Sequence, residues 1–138
     1  MSERSFAYES MGSHWQITLP HAALSEAAYA ELQEAIRGAS TTFDATYSRF
    51  KRDSLIWQIA DTTGTFTVPE DLTTMLGWYM QLYEASGRKL NPLIGHTISD
   101  LGYDDAYSLE TKEVVRNTPD LLETIEILDS THIAINHP

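Results

Sequence analysis

The run Ser5-Phe6-Ala7-Tyr8-Glu9-Ser10-Met11-Gly12-Ser13-His14-Trp15-Gln16-Ile17-Thr18-Leu19 decides how the rest of the chain is read. Phe6 and Tyr8 alternate with small or polar neighbours, as in a half-buried strand over Ser5 to Ser10. His14 to Leu19 resumes the pattern, with Trp15, Ile17 and Leu19 on one face at period two. Met11-Gly12-Ser13 interrupts the two, and Gly12 supplies the backbone freedom a hairpin bend requires. Pro20 ends the pair.

Outward from the hairpin the period changes. Ala28, Leu32, Ala35, Ile36, Ala39 and Phe43 recur at steps of three and four, predicting a helix from about Leu24 to about Tyr47. Gly38 lies inside it and costs about 1 kcal/mol relative to Ala. Asp53 reads as the N-cap of a short helix, Ser54 to Ala60. Thr62 to Thr65 reads as loop and Phe66 to Val68 as a short strand. Pro69-Glu70-Asp71 opens a second long helix, with Pro and acids suited to a first turn. Its stripe is Leu72, Met75 or Leu76, Tyr79, Leu82 and Tyr83, and Gly87 is its stop. Pro92, Gly95 and Gly102 break Asn91 to Tyr107 into short pieces. Leu121 to Leu128 and His132 to Asn136 read as strands around an Asp129-Ser130-Thr131 turn. Two hairpins and two long helices predict an α+β fold of antiparallel strands. There is no internal repeat and no interdomain linker, so residues 1–138 read as one domain.

The composition narrows the function classes. The chain has 138 residues, 42% of them hydrophobic and 21% charged, near the averages of a globular domain. No stretch approaches the roughly 20 apolar residues of a membrane span. Nine Lys and Arg against twenty Asp and Glu give a net charge of −11, a field that repels nucleic acid. Cysteine is absent, which removes disulfides, thiolate metal sites and a Cys nucleophile. The opening Met1-Ser2-Glu3-Arg4-Ser5 lacks the apolar run of a signal peptide, so the expected location of the chain as written is cytoplasmic, unless a leader was removed ahead of it.

The basic residues are clustered. Arg49, Lys51 and Arg52 fall within four positions, and Arg88 and Lys89 are adjacent. Both clusters follow long helices. They read either as an anion site or as the usual attraction of cations to helix C-termini. None of His14, His21, His96, His132 and His137 has the helical spacing of a zinc site, and each reads as structural. Asp100, Asp104 and Asp105 lack the alternation and closing Glu of a calcium loop, and read as a solvated acidic loop. No metal site is predicted within the chain.

Four segments, in order, resemble the N-terminal half of the ApbE family, the FAD:protein FMN transferases. Met11-Gly12-Ser13-His14-Trp15-Gln16-Ile17 is similar to that family's Met-Gly-Thr-x-Trp-x-Ile. Tyr47-Ser48-Arg49-Phe50-Lys51-Arg52-Asp53-Ser54 resembles Ser-Thr-Tyr-x-x-Asp-Ser. Ser86-Gly87-Arg88-Lys89-Leu90-Asn91-Pro92-Leu93-Ile94-Gly95 resembles Gly-Gly-x-Phe-Asp-Pro-Thr-Val-Gly. Ser99-Asp100-Leu101-Gly102-Tyr103-Asp104 is similar to the Leu-Trp-Gly-Phe segment, most of all in Gram-positive members.

The resemblance implies a partial ApbE-type, T-fold-like domain. It also implies a Mg²⁺-dependent reaction in which FMN passes from FAD to a Thr of a target protein and AMP leaves. The partners implied are a flavin nucleotide and that target protein. It places Met11 and Gly12 at the flavin end of FAD, and Phe50 where the family carries a Tyr, keeping a ring face and losing a hydroxyl. Arg49 and Lys51 fall in the same motif as flavin or phosphate contacts. Asn91 replaces the family's Asp and removes its charge, and Leu93 stands where many members have Thr. The family's Asp-x-Gly-Gly-x-x-Lys-Gly segment and its Mg²⁺ ligands belong to the half that the resemblance does not reach. Two expectations follow: no transferase activity from this chain alone, and self-association through Leu121 to Asn136, where partner strands would belong. The alternative is a non-catalytic flavin-binding or interaction module with the same half-fold.

Overall fold

A computed structural model describes residues 3–20 and 23–137. His21 lies outside the described residues. The chain divides into two compact units, Met1–Ser48 with Asp53–Ile56, and Arg49–Arg52 with Trp57–Pro138.

In the first unit, β1 (Arg4–Ser10) and β2 (Ser13–Leu19) pair antiparallel, with Phe6 opposite Ile17 and Tyr8 opposite Trp15. The connection is the two residues Met11 and Gly12, both left-handed, with φ of 53° and 68°. That is the type I′ pattern, whose twist matches the strands it joins. Gly12 adopts it freely, whereas Met11 does so against its Cβ. α1 (Glu26–Tyr47) is capped by Ser25, whose hydroxyl accepts the Ala28 N–H at 3.2 Å. The helix runs unbroken through Gly38.

The covered side of α1 departs from the apolar stripe in the sequence. Ala28, Leu32 and Ile36 are half-buried, but Ala35, Ala39 and Phe43 are exposed. Polar residues take over because the hairpin face they meet is aromatic. Arg37 lies over the Phe6 and Tyr8 rings at 5.7 and 5.2 Å, and Ser40 Oγ shares a 2.8 Å hydrogen bond with the Tyr8 hydroxyl. Arg4 sits 3.7 Å over the Tyr29 ring and pairs with Glu26.

α2 (Leu55–Ala60) starts one residue after the predicted position. Ser54 is buried ahead of it and donates its hydroxyl to the Ser48 carbonyl at 2.8 Å.

The second unit carries the buried core. β3 (Gly64–Thr67), β4 (Ile125–Ile127) and β5 (His132–Ile135) form an antiparallel sheet in the order β3-β5-β4. β3 opens at Gly64, inside the predicted loop, because Gly64 already pairs with Ile135. α3 (Glu70–Ala85) packs on the C-terminal elements. It buries Leu72, Thr73, Leu76 and Tyr83 but leaves Tyr79 and Leu82 exposed. Thr73 earns its place by donating to the Ser130 carbonyl at 2.7 Å. Leu121, Ile125, Ile133 and Ile135 complete the core, each contributing about 1.5–3 kcal/mol by leaving water.

The expected strand Leu121 to Leu128 is helical in its first four residues. Asp120 accepts the N–H groups of Leu122 and Glu123, at 2.9 and 3.4 Å, and so starts α5 (Leu121–Thr124). α4 (Gly95–Asp100) and a 3₁₀ turn, Pro92–Ile94, occupy part of the broken segment after α3.

Candidate functional site

Arg49 and Phe50 sit in the turn that follows α1 in sequence. The turn is pinned from below by Trp57, whose indole N–H donates to the Arg49 carbonyl at 2.7 Å. The Arg49 guanidinium donates to the Tyr103 carbonyl at 2.8 Å and reaches Ser99 Oγ at 3.4 Å, at the end of α4. Held there, it lies 4.1 Å from the centre of the Phe50 ring and 4.6 Å from that of Tyr103. Tyr103 meets Phe50 edge-on at 5.6 Å, and Tyr107 stacks on Phe50 nearly parallel, 12° apart at 5.2 Å. The two tyrosines are edge-to-face at 5.4 Å. Phe50 and Arg49 are half-buried, while Tyr103 and Tyr107 are 46% and 51% exposed. The result is a cluster of three rings and one cation, open to solvent on the tyrosine side. Burial pushes the Tyr107 phenol up from its ordinary pKa, and the neighbouring Tyr103 hydroxyl adds to the rise.

The tyrosines ride on a strap tied at its base by backbone bonds. Leu109 N–H donates to the Gly102 carbonyl at 2.9 Å, and Lys112 N–H to the Asp100 carbonyl at 2.8 Å. Gly102 has φ 104°, and a Cβ there would lie 2.8 Å from the backbone of Leu109 and Glu110. Asp104 turns the tip by accepting from Ala106 N, Ser108 N and Ser108 Oγ. Asp100 anchors the whole segment, and here the reading of a solvated acidic loop fails. Its side chain is 1% exposed. It takes Lys112 Nζ at 2.7 Å, Arg116 Nε at 2.7 Å and the Arg116 backbone N–H at 3.1 Å. Those donors, the Arg116 guanidinium first, hold its carboxyl far below the usual range.

The other sequence candidates fall in separate places. Met11 and Gly12 form the hairpin turn of the first unit. Lys51 is exposed in the turn beside Phe50. Asn91 stands at the start of the 3₁₀ turn with both ends of its amide engaged, Oδ1 accepting Leu93 N–H at 2.9 Å and Nδ2 donating to the Pro119 carbonyl at 2.8 Å. Arg52 is paired with Asp105 at 2.7 Å, and Arg88 with Asp120 at 2.9 Å. Among the described residues, no three His, Asp or Glu side chains converge as a metal site would require.

Tyr103 entered the sequence reading only through a motif, and Tyr107 only as the end of a broken segment. Nothing in local spacing announces that Tyr107, 57 positions after Phe50 in the chain, will lie on its ring.

The ApbE family model matches residues 11–136. Among solved structures, the flavin transferase ApbE from Vibrio cholerae is 18% identical with a TM-score of 0.76, over 99% of this chain and 46% of that one. A single-residue variant of the same protein gives 17% identity, a TM-score of 0.77, and 100% and 47% coverage. The apo flavinyl transferase ApbE of Pseudomonas stutzeri is 12% identical with a TM-score of 0.78, over 97% of this chain and 44% of that one. At these identities the likeness is one of fold. The chain spans a little under half the length of each. No curated protein sequence matches it significantly.

Proposed function

The chain belongs to the ApbE family, and on that footing we propose that it is the flavin-binding part of an FAD:protein FMN transferase. In the proposed reaction a Thr hydroxyl of a target protein attacks the phosphorus on the FMN side of FAD. The new O–P bond forms as the bond to AMP breaks, and the hydroxyl proton is released. Mg²⁺ would spread the charge of the pyrophosphate. No residue of this chain is assigned to the metal.

The observation that carries the proposal is the placement of Phe50. It occupies the ring-bearing position of the family motif and sits in a half-open aromatic cluster beside a fixed guanidinium. A flat, electron-poor isoalloxazine suits such a surface, because stacking needs only a ring face and dry flanks. Arg49 then acts on the ring system more than on a phosphate, since each of its terminal nitrogens already donates within the chain, to Tyr103 and to Ser99, and its guanidinium lies over the Phe50 ring. Met11, Gly12, Lys51 and Asn91 are assigned to flavin nucleotide contact on the resemblance alone.

The second reading, a flavin-binding module without catalysis, is favoured by Asn91. It lacks the charge of the family's Asp, and its amide is engaged at both ends by the backbone.

In-gel flavin fluorescence of a Thr-bearing acceptor, incubated with FAD and Mg²⁺, tests the proposal. The chain alone should leave the acceptor dark. A folded hybrid joining residues 11–136 to the remaining half of an ApbE transferase should label it. A labelled acceptor with the chain alone would show that the catalytic groups are in this half. A dark acceptor with the hybrid would favour the non-catalytic module.

A further inference from the structure

The stacking face of Phe50 is already occupied, and the occupant is part of the same chain. Tyr107 lies on it at 5.2 Å and 12°, the offset-parallel arrangement two aromatic rings prefer. A planar ligand laid on that face needs the volume Tyr107 fills. Arg49, also against Phe50, is tied by hydrogen bonds to the Tyr103 carbonyl and Ser99 Oγ, and Tyr103 meets the ring edge-on. The Tyr107 side chain is held by ring contacts and by its hydroxyl's neighbour, Tyr103. It is also the more free to leave. It is 51% exposed, and it stands at the tip of the strap, outside the two backbone bonds that close the base. Its backbone is left-handed, φ 51°, a region that disfavours a residue with a Cβ. Swinging out would lose the stack on Phe50 and the edge contact with Tyr103; where the Tyr107 N–H also leaves the Asp104 carbonyl, 3.2 Å away, it would relieve that strain, with the base of the strap still anchored by Asp100.

We propose that Tyr107 is a built-in competitor for the Phe50 face, an autoinhibitory plug that a flavin ring must displace. The inference rests on the flavin reading of Phe50 given above. Ligand affinity is then reduced by the fraction of molecules in which the plug is closed, and whatever moves the 100–112 strap sets that fraction.

The test is an FMN fluorescence-quenching titration of the full chain and its variants. Removing the ring by Tyr107→Ala should tighten FMN binding about two- to tenfold, the worth of one aromatic pair. Tyr107→Gly should do the same, and it suits the left-handed backbone if the alanine variant folds poorly. Tyr107→Phe, which keeps the ring and drops only the hydroxyl, should fall between the parent chain and the ring-removing variants. Phe50→Ala should weaken binding and abolish the gain from Tyr107→Gly. Unchanged or weaker binding in both ring-removing variants would overturn the plug, making Tyr107 a bystander or a wall of the pocket. If Phe50→Ala still weakens binding in that case, the flavin reading survives alone. If Tyr107→Gly tightens binding equally with and without the Phe50 ring, or if no variant binds FMN, the plug and the flavin reading both fail.

Discussion

Asp100 shows what one side chain can hold. Its buried carboxylate joins the end of α4 to Lys112 and Arg116, and so fixes both ends of a segment that has little secondary structure of its own. Lys112 and Arg116 are half exposed, so neutralising the buried Asp100 leaves no buried cation behind, but it removes the anion that gathers both of them to the end of α4. Asp100→Asn should therefore lower Tm by roughly 5–10 °C. It should also open residues 101–119 to limited proteolysis, both measurable on the purified chain. The pH dependence has a definite sign. A carboxyl whose folded pKa is depressed stabilises fully above its unfolded value, about 3.9, and the benefit fades as pH falls through the folded value. The Tm gap between parent and Asp100→Asn should thus be widest near pH 7 and begin to narrow only below about pH 4. Met11 makes the opposite case, a residue that costs stability where it stands. Met11→Gly relieves a left-handed Cβ at φ 53° and should stabilise the chain by about 0.5–1 kcal/mol in thermal unfolding, after the entropy of the added glycine is subtracted. Sequence reading placed Asp100 in a solvated loop because its partners, Lys112 and Arg116, come 12 and 16 residues later. Burial of that kind leaves no local pattern.

At the scale of elements, the periodic segments were legible and the junctions less so. The first hairpin, both long helices and the Ile125/Ile127 and Ile133/Ile135 strands announce themselves by period and by turn residues. The exceptions each have a tertiary cause. Half of the α1 stripe is exposed because Arg37 and Ser40, not alanines, answer the aromatic face of β1. Leu121 to Thr124 is helical because a capping aspartate outweighs an apolar run that reads equally well as strand. β3 extends to Gly64 because β5 is there to pair with it. The strap is the element most exposed to a single change. In Gly102→Ala the new methyl would meet backbone at 2.8 Å in a conformation with φ 104°. The substitution should cost roughly 1–3 kcal/mol. Because it unseats the strap, it should also raise hydrogen exchange at Leu109 and Lys112, whose N–H groups close its base.

At the scale of the whole molecule, strand order bears on self-association. The sequence places the interface on Leu121 to Asn136, but β5 is the central strand and already paired on both sides. Among the described residues, β3 and β4 are the edge strands of this sheet, so association by strand pairing would use them. Light scattering of the purified chain should show mass rising with concentration, and rising further with salt, because added ions screen the repulsion of net charge −11. A constant monomer mass at every salt would remove the expectation. The candidate site was legible in part. Arg49 and Phe50 are adjacent in sequence and recognisable as a motif, whereas Tyr107 reaches them only through the fold. The most direct measurement of the central claim is a calorimetric titration of the chain with FAD, repeated for Phe50→Ala and Phe50→Tyr. Saturable binding that falls at least about threefold in Phe50→Ala and is retained in Phe50→Tyr is the predicted result, given the worth of a stacked aromatic face. Binding that ignores the ring at position 50, or no binding to a folded chain, would contradict it.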